Sequence, residues 1–348
     1  MCNFNKSCII IDGSKGEGGG QILRTSLVLS TLTGTPFRMI NIRARRSNPG
    51  LQQQHLQSIN ALKKISNAKV KGNYKGSMEI EYEPGSTQAG EYTFRIETAG
   101  STSLIMHTVF LPLVLVGKRS IVRITGGTHN PWSPTFDFIR FNWCYFMKML
   151  GIDISVKLLK AGFYPEGGGE ILAEINPVKK INPLVIKSRG LLRKIEVYSA
   201  HTNLRFEVAQ RQAKAAEKFL ENFSDNISVQ IDELESYSKN TTIAITGDFG
   251  NTRCCYTALG KKGKRAEKVA EEACIKFLSF LKSNGCIDEY MADQIILPLI
   301  FSTGYSEFTI SKITNHLITN INTIKNFLNT DIILEGDLHR EGKLVIRN

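Results

Sequence analysis

From Gly18 to Met78 the chain contains no aspartate or glutamate, although it carries 32 acids overall. Ten lysines and arginines fall in these sixty-one residues, so the stretch offers positive charge with no local carboxylate to offset it, as a surface shaped for phosphate does. Cysteine is sparse and badly placed for cross-linking. The seven (Cys2, Cys8, Cys144, Cys254, Cys255, Cys274, Cys286) are odd in number, scattered and without a Cys-x-x-Cys pair. That excludes a disulfide framework and a thiolate zinc site, and it suits a reducing, intracellular compartment. No two of the six histidines stand at a helical metal-binding spacing, which removes a histidine-rich zinc centre. Long apolar runs are missing too. Leu104 to Val116 is the longest, and His107 and Pro112 interrupt it well short of a bilayer's thickness. The start, Met1-Cys2-Asn3-Phe4-Asn5-Lys6, has no apolar signal core, so the expectation is a soluble, cytoplasmic protein.

What is present is a chain of 348 residues with 42% hydrophobic content, enough to bury a large core in two domains or in one domain carrying an insertion. The formal charge of +12 (44 Lys+Arg against 32 Asp+Glu) favours a polyanionic partner such as nucleic acid or a nucleotide.

Three segments read as one repeated unit: an alternating strand, a loop of small residues, then an apolar helix. They are Cys8–Asp12 with a helix from Gln21 to Thr33, Glu91–Glu97 with a helix from Thr102 to Val116, and Glu307–Ile310 with a helix from His316 to Leu328. Gly34 and Gly117 follow the first two helices, where a left-handed residue ends a helix well. The triplet Gly167-Gly168-Gly169 behind Glu166 reads as the start of a fourth such fragment. Between Leu184 and Ser279 the texture changes to alternating runs around two charged amphipathic helices, Ala209–Phe223 and Lys264–Leu278. The expected organisation is α/β (α+β): residues 1–184 and 280–348 form a discontinuous domain of repeated units, and residues 185–279 form an inserted α+β domain.

The loop Gly16-Glu17-Gly18-Gly19-Gly20 lies between a strand and a helix, where free backbone N–H groups and the helix dipole attract an anion. It is neither a dinucleotide fingerprint nor a Walker A loop, because Gln21 stands at the last glycine's place and no Gly-Lys-Ser/Thr follows; a tight turn without ligand is the alternative. Glu17 is the one carboxylate beside the basic stretch, and an isolated acid among phosphates suits Mg²⁺ or Mn²⁺. Arg43, Arg45 and Arg46 follow a strand over Phe37–Ile42 and precede a turn at Asn48-Pro49-Gly50; arginine forks grip phosphate, and a solvated charged face is the competing account. His316 follows Thr314-Asn315, good N-cap residues, at the first turn of its helix. There the positive helix end disfavours imidazolium, keeping the ring neutral and nucleophilic, although a merely polar histidine fits the spacing equally.

The motifs Asp12-Gly13-Ser14-Lys15-Gly16-Glu17-Gly18-Gly19-Gly20-Gln21-Ile22-Leu23-Arg24, Ile42-Arg43-Ala44-Arg45-Arg46, Asn48-Pro49-Gly50-Leu51, Gln54-His55-Leu56, Gly162-Phe163-Tyr164-Pro165-Glu166-Gly167-Gly168-Gly169, Ala292-Asp293-Gln294 and His316-Leu317-Ile318-Thr319-Asn320-Ile321 together resemble RNA 3′-terminal phosphate cyclases. The resemblance runs from Ile9 to the C-terminus. It implies a large domain similar to enolpyruvyl transferases and an insert like the C-terminal domain of a translation initiation factor. It implies a ligase chemistry in three steps: a histidine takes AMP from ATP with loss of pyrophosphate, AMP passes to an RNA 3′-phosphate, and the vicinal 2′-OH closes a 2′,3′-cyclic phosphate.

Carried over by motif, His316 is the nucleophile. Glu17 becomes the metal and triphosphate-side residue, Arg24, Arg43 and Arg46 the phosphate binders, and Gln54 a polar site residue. Tyr290, Asp293 and Gln294 contribute to the nucleotide pocket, while Pro134 and Phe138 are apolar walls for adenine. His107 stands where relatives often carry glutamine near the triphosphate, His129 replaces a more usual acid or amide, and Leu204-Arg205-Phe206-Glu207-Val208-Ala209 departs from Pro-x-x-His-Val-Ala. The implied cofactors are ATP and a divalent metal (Mg or Mn), and the implied partner is RNA with a 3′-phosphate; monomer and homodimer both stay open. A non-catalytic, cyclase-like factor of ribosome biogenesis would share the fold but lack the nucleophilic histidine. A small-molecule enolpyruvyl transferase would not explain the positive charge or the His316 motif.

Overall fold

Asp12 ends the first strand, β1 (Ile9–Asp12), and its carboxylate accepts from the backbone N–H and hydroxyl of Ser14, an Asx turn that opens the glycine loop. Helix α1 (Gly20–Thr33) follows and stops at Gly34, whose φ of 70° permits the left-handed cap. Then come β2 (Phe37–Ile40), α2 (Gln53–Ser66), β3 (Lys69–Lys71) and β4 (Ile80–Glu83). A computed structural model describes residues 8–348, so the N-terminal segment 1–7, with Cys2 and the reading of its missing signal core, lies outside the described residues.

β1 and β2 run parallel, as a helical crossover allows, and the sheet order is β1-β2-β4-β3 with the remaining pairs antiparallel. The same order recurs. In the second unit β5 (Glu91–Arg95), α3 (Thr102–Val114), β6 (Ser120–Gly126), the helical stretch α4 (Phe136–Phe138), π-turn Ile139–Trp143 and α5 (Cys144–Met149), β7 (Ile154–Lys160) and β8 (Gly169–Ile175) give β5-β6-β8-β7.

The third unit opens with β9 (Val185–Ile186), and a long excursion follows before the unit resumes. The excursion comprises β10 (Lys194–Thr202), α6 (Phe206–Leu220), β11 (Ile227–Glu233), β12 (Asn240–Asp248), β13 (Arg253–Leu259) and α7 (Ala266–Lys282). α8 (Glu289–Leu299), β14 (Tyr305–Ile310), α9 (Asn315–Phe327), β15 (Asp331–Gly336) and β16 (Gly342–Arg347) then complete the order β9-β14-β16-β15.

This corrects the register of the repeat. By sheet position β14 corresponds to β2 and β6, not to β1 and β5, so His316 sits on the second helix of its unit. The excursion separates β9 from α8, and a two-residue strand carries no alternation to detect. The supposed fourth fragment is not a unit either: the glycines joining β7 to β8 link antiparallel strands, and no helix follows.

The excursion's sheet, β11-β10-β12-β13, packs under α6 and α7 on a hydrophobic cluster of its own that includes Ile195, Ile243, Ile245, Phe277 and Phe280. It is pinned to the repeated units at several points. The Thr242 hydroxyl donates to Asp137 at 2.6 Å, the Tyr256 hydroxyl to Glu289 at 2.8 Å, and the Thr252 hydroxyl to the Cys286 carbonyl at 2.8 Å. Elsewhere α1 packs on α9 and α9 on α8, and the Phe37 ring meets Tyr82 at 5.7 Å and, edge-on, Phe327 at 6.0 Å. Burying a ring of that size stabilises by about 1.5–3 kcal/mol and locks the first unit to the third.

Cys144, Cys254, Cys255, Cys274 and Cys286 are free, the expected adjacent pair lying buried in β13. Cys8 is disulfide-bonded, which departs from the expectation of a chain without such bonds. Among the described residues no helix is long and apolar enough to cross a membrane.

Candidate active site

Packing α9 against α1 brings the far end of the sequence to the glycine loop. Gly16 adopts φ +59°, and a Cβ there would stand 2.5 Å from the Thr319 hydroxyl oxygen, which accepts from the Glu17 N–H at 3.1 Å. Only glycine allows that approach, and the bond fixes the loop to α9. Gly20, the first residue of α1, is equally crowded: its Cβ would meet His55 Nε2 at 2.5 Å and Arg24 Nη1 at 2.9 Å.

Thr314 caps α9 by accepting from the Leu317 N–H, as its residue type suggests, and so holds His316 in the first turn. His316 Nε2 lies 3.0 Å from Glu17 Oε2, and Nδ1 lies 3.8 Å from Asp293 Oδ2. The helix end's preference for a neutral ring is therefore opposed by the side chains around it. Hydrogen bonding to Glu17 holds the imidazole above its ordinary 6.5 against the opposing effect of burial, and the charges of Asp293 and Glu17 add to it. Two carboxylates outweigh a helix dipole, which is equivalent to about half a charge. Glu17 is correspondingly lowered, first by His316. Asp293 behaves differently: burial pushes it up to about 7, with His316 and Arg24 working the other way.

Burial lowers the Arg24 guanidinium to about 10, with Asp293 and Glu17 opposing, and its Nη2 donates to Gln21 Oε1 at 2.8 Å. Among the described residues Arg24 and Arg43 have no ion pair, although the Arg43 guanidinium donates to the Asn48 carbonyl. Arg46 does have one, to Glu17 Oε1 at 3.4 Å, besides donating to the Glu17 carbonyl. The acid-free stretch is thus less bare in space than in sequence. Arg38, Lys71 and Lys69 pair across the sheet with Glu79, Glu81 and Glu83 just beyond it. Of the cations near the glycine loop, Arg24 and Arg43 keep their charge without an ion pair among the described residues, and Asp293 joins Glu17 as a second carboxylate.

All twelve residues singled out in the sequence line one cavity of about 1370 Å³: Glu17, Arg24, Arg43, Arg46, Gln54, His107, Pro134, Phe138, Tyr290, Asp293, Gln294 and His316. That exceeds the usual room for one drug-sized ligand, about 300–1,000 Å³, and leaves space for a nucleotide and a second substrate. Pro134 and the buried Phe138 supply an apolar wall; Tyr290, half exposed, stands edge-on to Tyr256 at 6.0 Å. Gln294 donates to the Tyr290 carbonyl while its own Oε1 is buried without a partner among the described residues. His107 packs against Trp143 at 5.0 Å, and burial drives it down to about 3, so it stays neutral, its Nε2 without a partner among the described residues.

Several residues gained no role from sequence. His55 accepts the Gln52 N–H at Nδ1, which puts the neutral ring's proton on Nε2; burial, with Arg24 and Arg43 nearby, lowers it to about 3. Asp288 caps α8, accepting from the Tyr290 and Met291 N–H groups and the Asn142 amide, and burial raises it to about 7. An aspartate before an apolar helix is a readable cap. Asn320 is 2% exposed and ties three helices: its Oδ1 accepts from Gln21 and Thr25 on α1, and its Nδ2 donates to the Asp293 carbonyl on α8. Its i+4 spacing from His316 was the signal. His129 is fully buried, stacked on Phe163 at 4.9 Å and 3.4 Å from Asp137, which joins it to the structural contact with Thr242.

Among the described residues no group of three or more His, Cys, Asp or Glu side chains is arranged around a metal ion. Glu17, with hard oxygens near Arg46 and Arg24, fits the way Mg²⁺ binds, through one or two carboxylates together with substrate phosphates.

Residues 15–334 match the family described as RNA 3′-terminal phosphate cyclase. A protein of that name from Sulfolobus acidocaldarius is 45% identical over 94% of this chain and 97% of its own length. Those from Caldivirga maquilingensis, at 42% over 93% and 94%, and Pyrococcus abyssi, at 41% over 97% and 98%, are similar along almost their whole lengths too.

Proposed function

The chain belongs to the RNA 3′-terminal phosphate cyclase family, and on that premise we propose that it uses ATP to convert an RNA 3′-terminal phosphate into a 2′,3′-cyclic phosphodiester. One observation carries the reading: His316 stands between Glu17 and Asp293 on the wall of a cavity lined by Arg24, Arg43 and Arg46.

In the first step the His316 Nε2 lone pair forms a bond to the α-phosphorus of ATP as the α–β bridging P–O bond breaks and pyrophosphate leaves. Glu17 must first release Nε2, and the nitrogen that attacks must carry no proton. Asp293, on the Nδ1 side, then stabilises the positive charge that develops on the ring. Arg24, Arg43 and Arg46 bind phosphate oxygens, and the half-buried guanidinium of Arg24, without an ion pair among the described residues, is suited to charge that builds up on phosphate. Pro134, Phe138, Tyr290 and Gln294 hold adenine, with the free Gln294 Oε1 as an acceptor. In the second step an oxygen of the RNA 3′-phosphate attacks the phosphorus and the P–N bond breaks. In the third the 2′-OH attacks the 3′-phosphorus, gives up its proton and expels AMP. Glu17 would hold a divalent Mg or Mn ion, which supplies charge neutralisation on the phosphates.

We further read the repeated units as one catalytic body, of the repeated kind found in enolpyruvyl transferases, interrupted by an inserted domain; the expected insert 185–279 shifts to 187–282, because β9 pairs with β14 in the body and α7 runs to Lys282. The recurring sheet order and the separate hydrophobic cluster support that division. Incubation with α-labelled ATP and a divalent ion should label the protein with AMP, and His316→Ala should abolish the label. Wild type that stays unlabelled across several metals removes the proposal.

A further inference from the structure

Charges on the excursion fall into two kinds. Around α7 they neutralise one another: Lys264 pairs with Glu272, Lys268 with Glu271, and Arg265 and Arg211 with Glu267. That face is solvated, as its mixed sequence suggests. Lys239, Lys261 and Lys262 are different. They are exposed, have no ion pair among the described residues, and line the same cavity as His316. Lys239 precedes β12 and the other two follow β13; these strands are antiparallel partners whose ends meet where the Gly260 N–H donates to the Thr241 carbonyl. The sheet therefore delivers three free ammonium groups to one edge of the cleft.

The same cavity's lining from the second repeated unit carries Trp132, 82% exposed, with Tyr164 edge-on to it at 5.7 Å and 56% exposed. Two large aromatics left standing in water beside a cleft mark an interaction site. Asn130 Oδ1 and Ser133 Oγ, on either side of Pro131-Trp132, are buried polar atoms without a partner among the described residues. The acids on this stretch are few: Glu272 is held by Lys264, and Glu166 remains.

We propose that the single-stranded RNA leading to the 3′ end crosses this cleft, its phosphates against Lys239, Lys261 and Lys262 and an unstacked base against Trp132. Free cations and an exposed ring lining one cleft are how proteins hold single strands without reading sequence. The cleft is continuous with the cavity of His316, so a strand lying in it ends at the reacting groups. The inserted sheet is then an RNA-binding wall, and its hydrogen bonds to Asp137, Glu289 and Cys286 keep the cleft's width fixed.

This rests on the cyclase reading for its ligand, and two readouts separate the two. Binding of a fluorescein-labelled, 3′-phosphorylated oligoribonucleotide is followed by anisotropy for wild type, Trp132→Ala and the triple variant Lys239→Ala/Lys261→Ala/Lys262→Ala. Self-labelling by α-labelled ATP is followed in parallel. Trp132→Ala should weaken binding roughly tenfold, the usual worth of one stacked base. The triple variant should lower the slope of log affinity against log salt by about 2, at about 0.7 for each phosphate deprived of its lysine. A 3′-phosphorylated dinucleotide should bind all three proteins alike, and self-labelling should match wild type. Unchanged affinity for the long strand, or equal losses for strand and dinucleotide, overturns the proposed track. Absence of self-labelling in wild type overturns the catalytic reading, while the anisotropy still decides the track.

Discussion

Asn320→Ala tests how the site is assembled. The side chain makes three hydrogen bonds: from Gln21 Nε2 at 3.0 Å, from Thr25 Oγ1 at 2.7 Å, and to the Asp293 carbonyl at 3.0 Å. Thr25 is 3% exposed, so water does not readily replace the lost acceptor. At about 1 kcal/mol net for each neutral bond the change costs about 3 kcal/mol, a large share of the roughly 5–15 kcal/mol that holds a protein folded. With a urea slope of about 3 kcal/mol/M the unfolding midpoint should fall by about 1 M. Because the bonds span α1, α8 and α9, which carry Arg24, Asp293 and His316, self-labelling by ATP should slow even in urea-free buffer where the variant is folded. Asn320→Asp keeps the acceptor for Gln21 and Thr25 but loses the donor to the Asp293 carbonyl, so its midpoint should lie between the two. An Asn320→Ala midpoint equal to wild type, or normal labelling at a lowered midpoint, would refute the claim that this residue positions the three helices.

Other perturbations separate charge from geometry. His316 is raised chiefly by Glu17, and the neutral ring is the nucleophile, so labelling should increase with pH through a value above 6.5. Glu17→Gln should move that rise to lower pH and depress the plateau; an unmoved limb would show that Glu17 does not set the protonation of His316. The sign for stability is opposite: the raised imidazole stabilises the fold below its unfolded value and loses that contribution as pH rises through the folded one. Arg24→Lys keeps a charge but loses the fork and its bond to Gln21. The KM for ATP should increase about tenfold, the equivalent of one charge-assisted bond, and an unchanged KM would remove Arg24 from phosphate binding. Gly16→Ala forces a Cβ against Thr319 at a φ of +59°, so it should slow labelling with a midpoint loss corresponding to about 1–3 kcal/mol. Labelling at the wild-type rate would mean that the loop's conformation does not aim Glu17.

Local sequence determined the elements and most of the site's membership. The alternation of Ile9–Asp12, the glycines before α1 and the cap residues Thr314 and Gly34 act over a few residues, where sequence and backbone are tightly coupled. The motifs reached as far as naming the twelve cavity residues, from Glu17 to His316. What they could not carry was mutual arrangement. The third unit's register was hidden because the excursion splits it after a two-residue strand. The bare positive stretch shrank once β4 placed Glu81 and Glu83 opposite Lys71 and Lys69, a pairing set by strand register, and brought Glu79 just before it to Arg38. The protonation of His316 also belonged to tertiary structure. A helix end predicts a neutral ring, but packing α9 against both α1 and α8 puts Glu17 and Asp293 beside it, and Coulomb energy depends on distances through space.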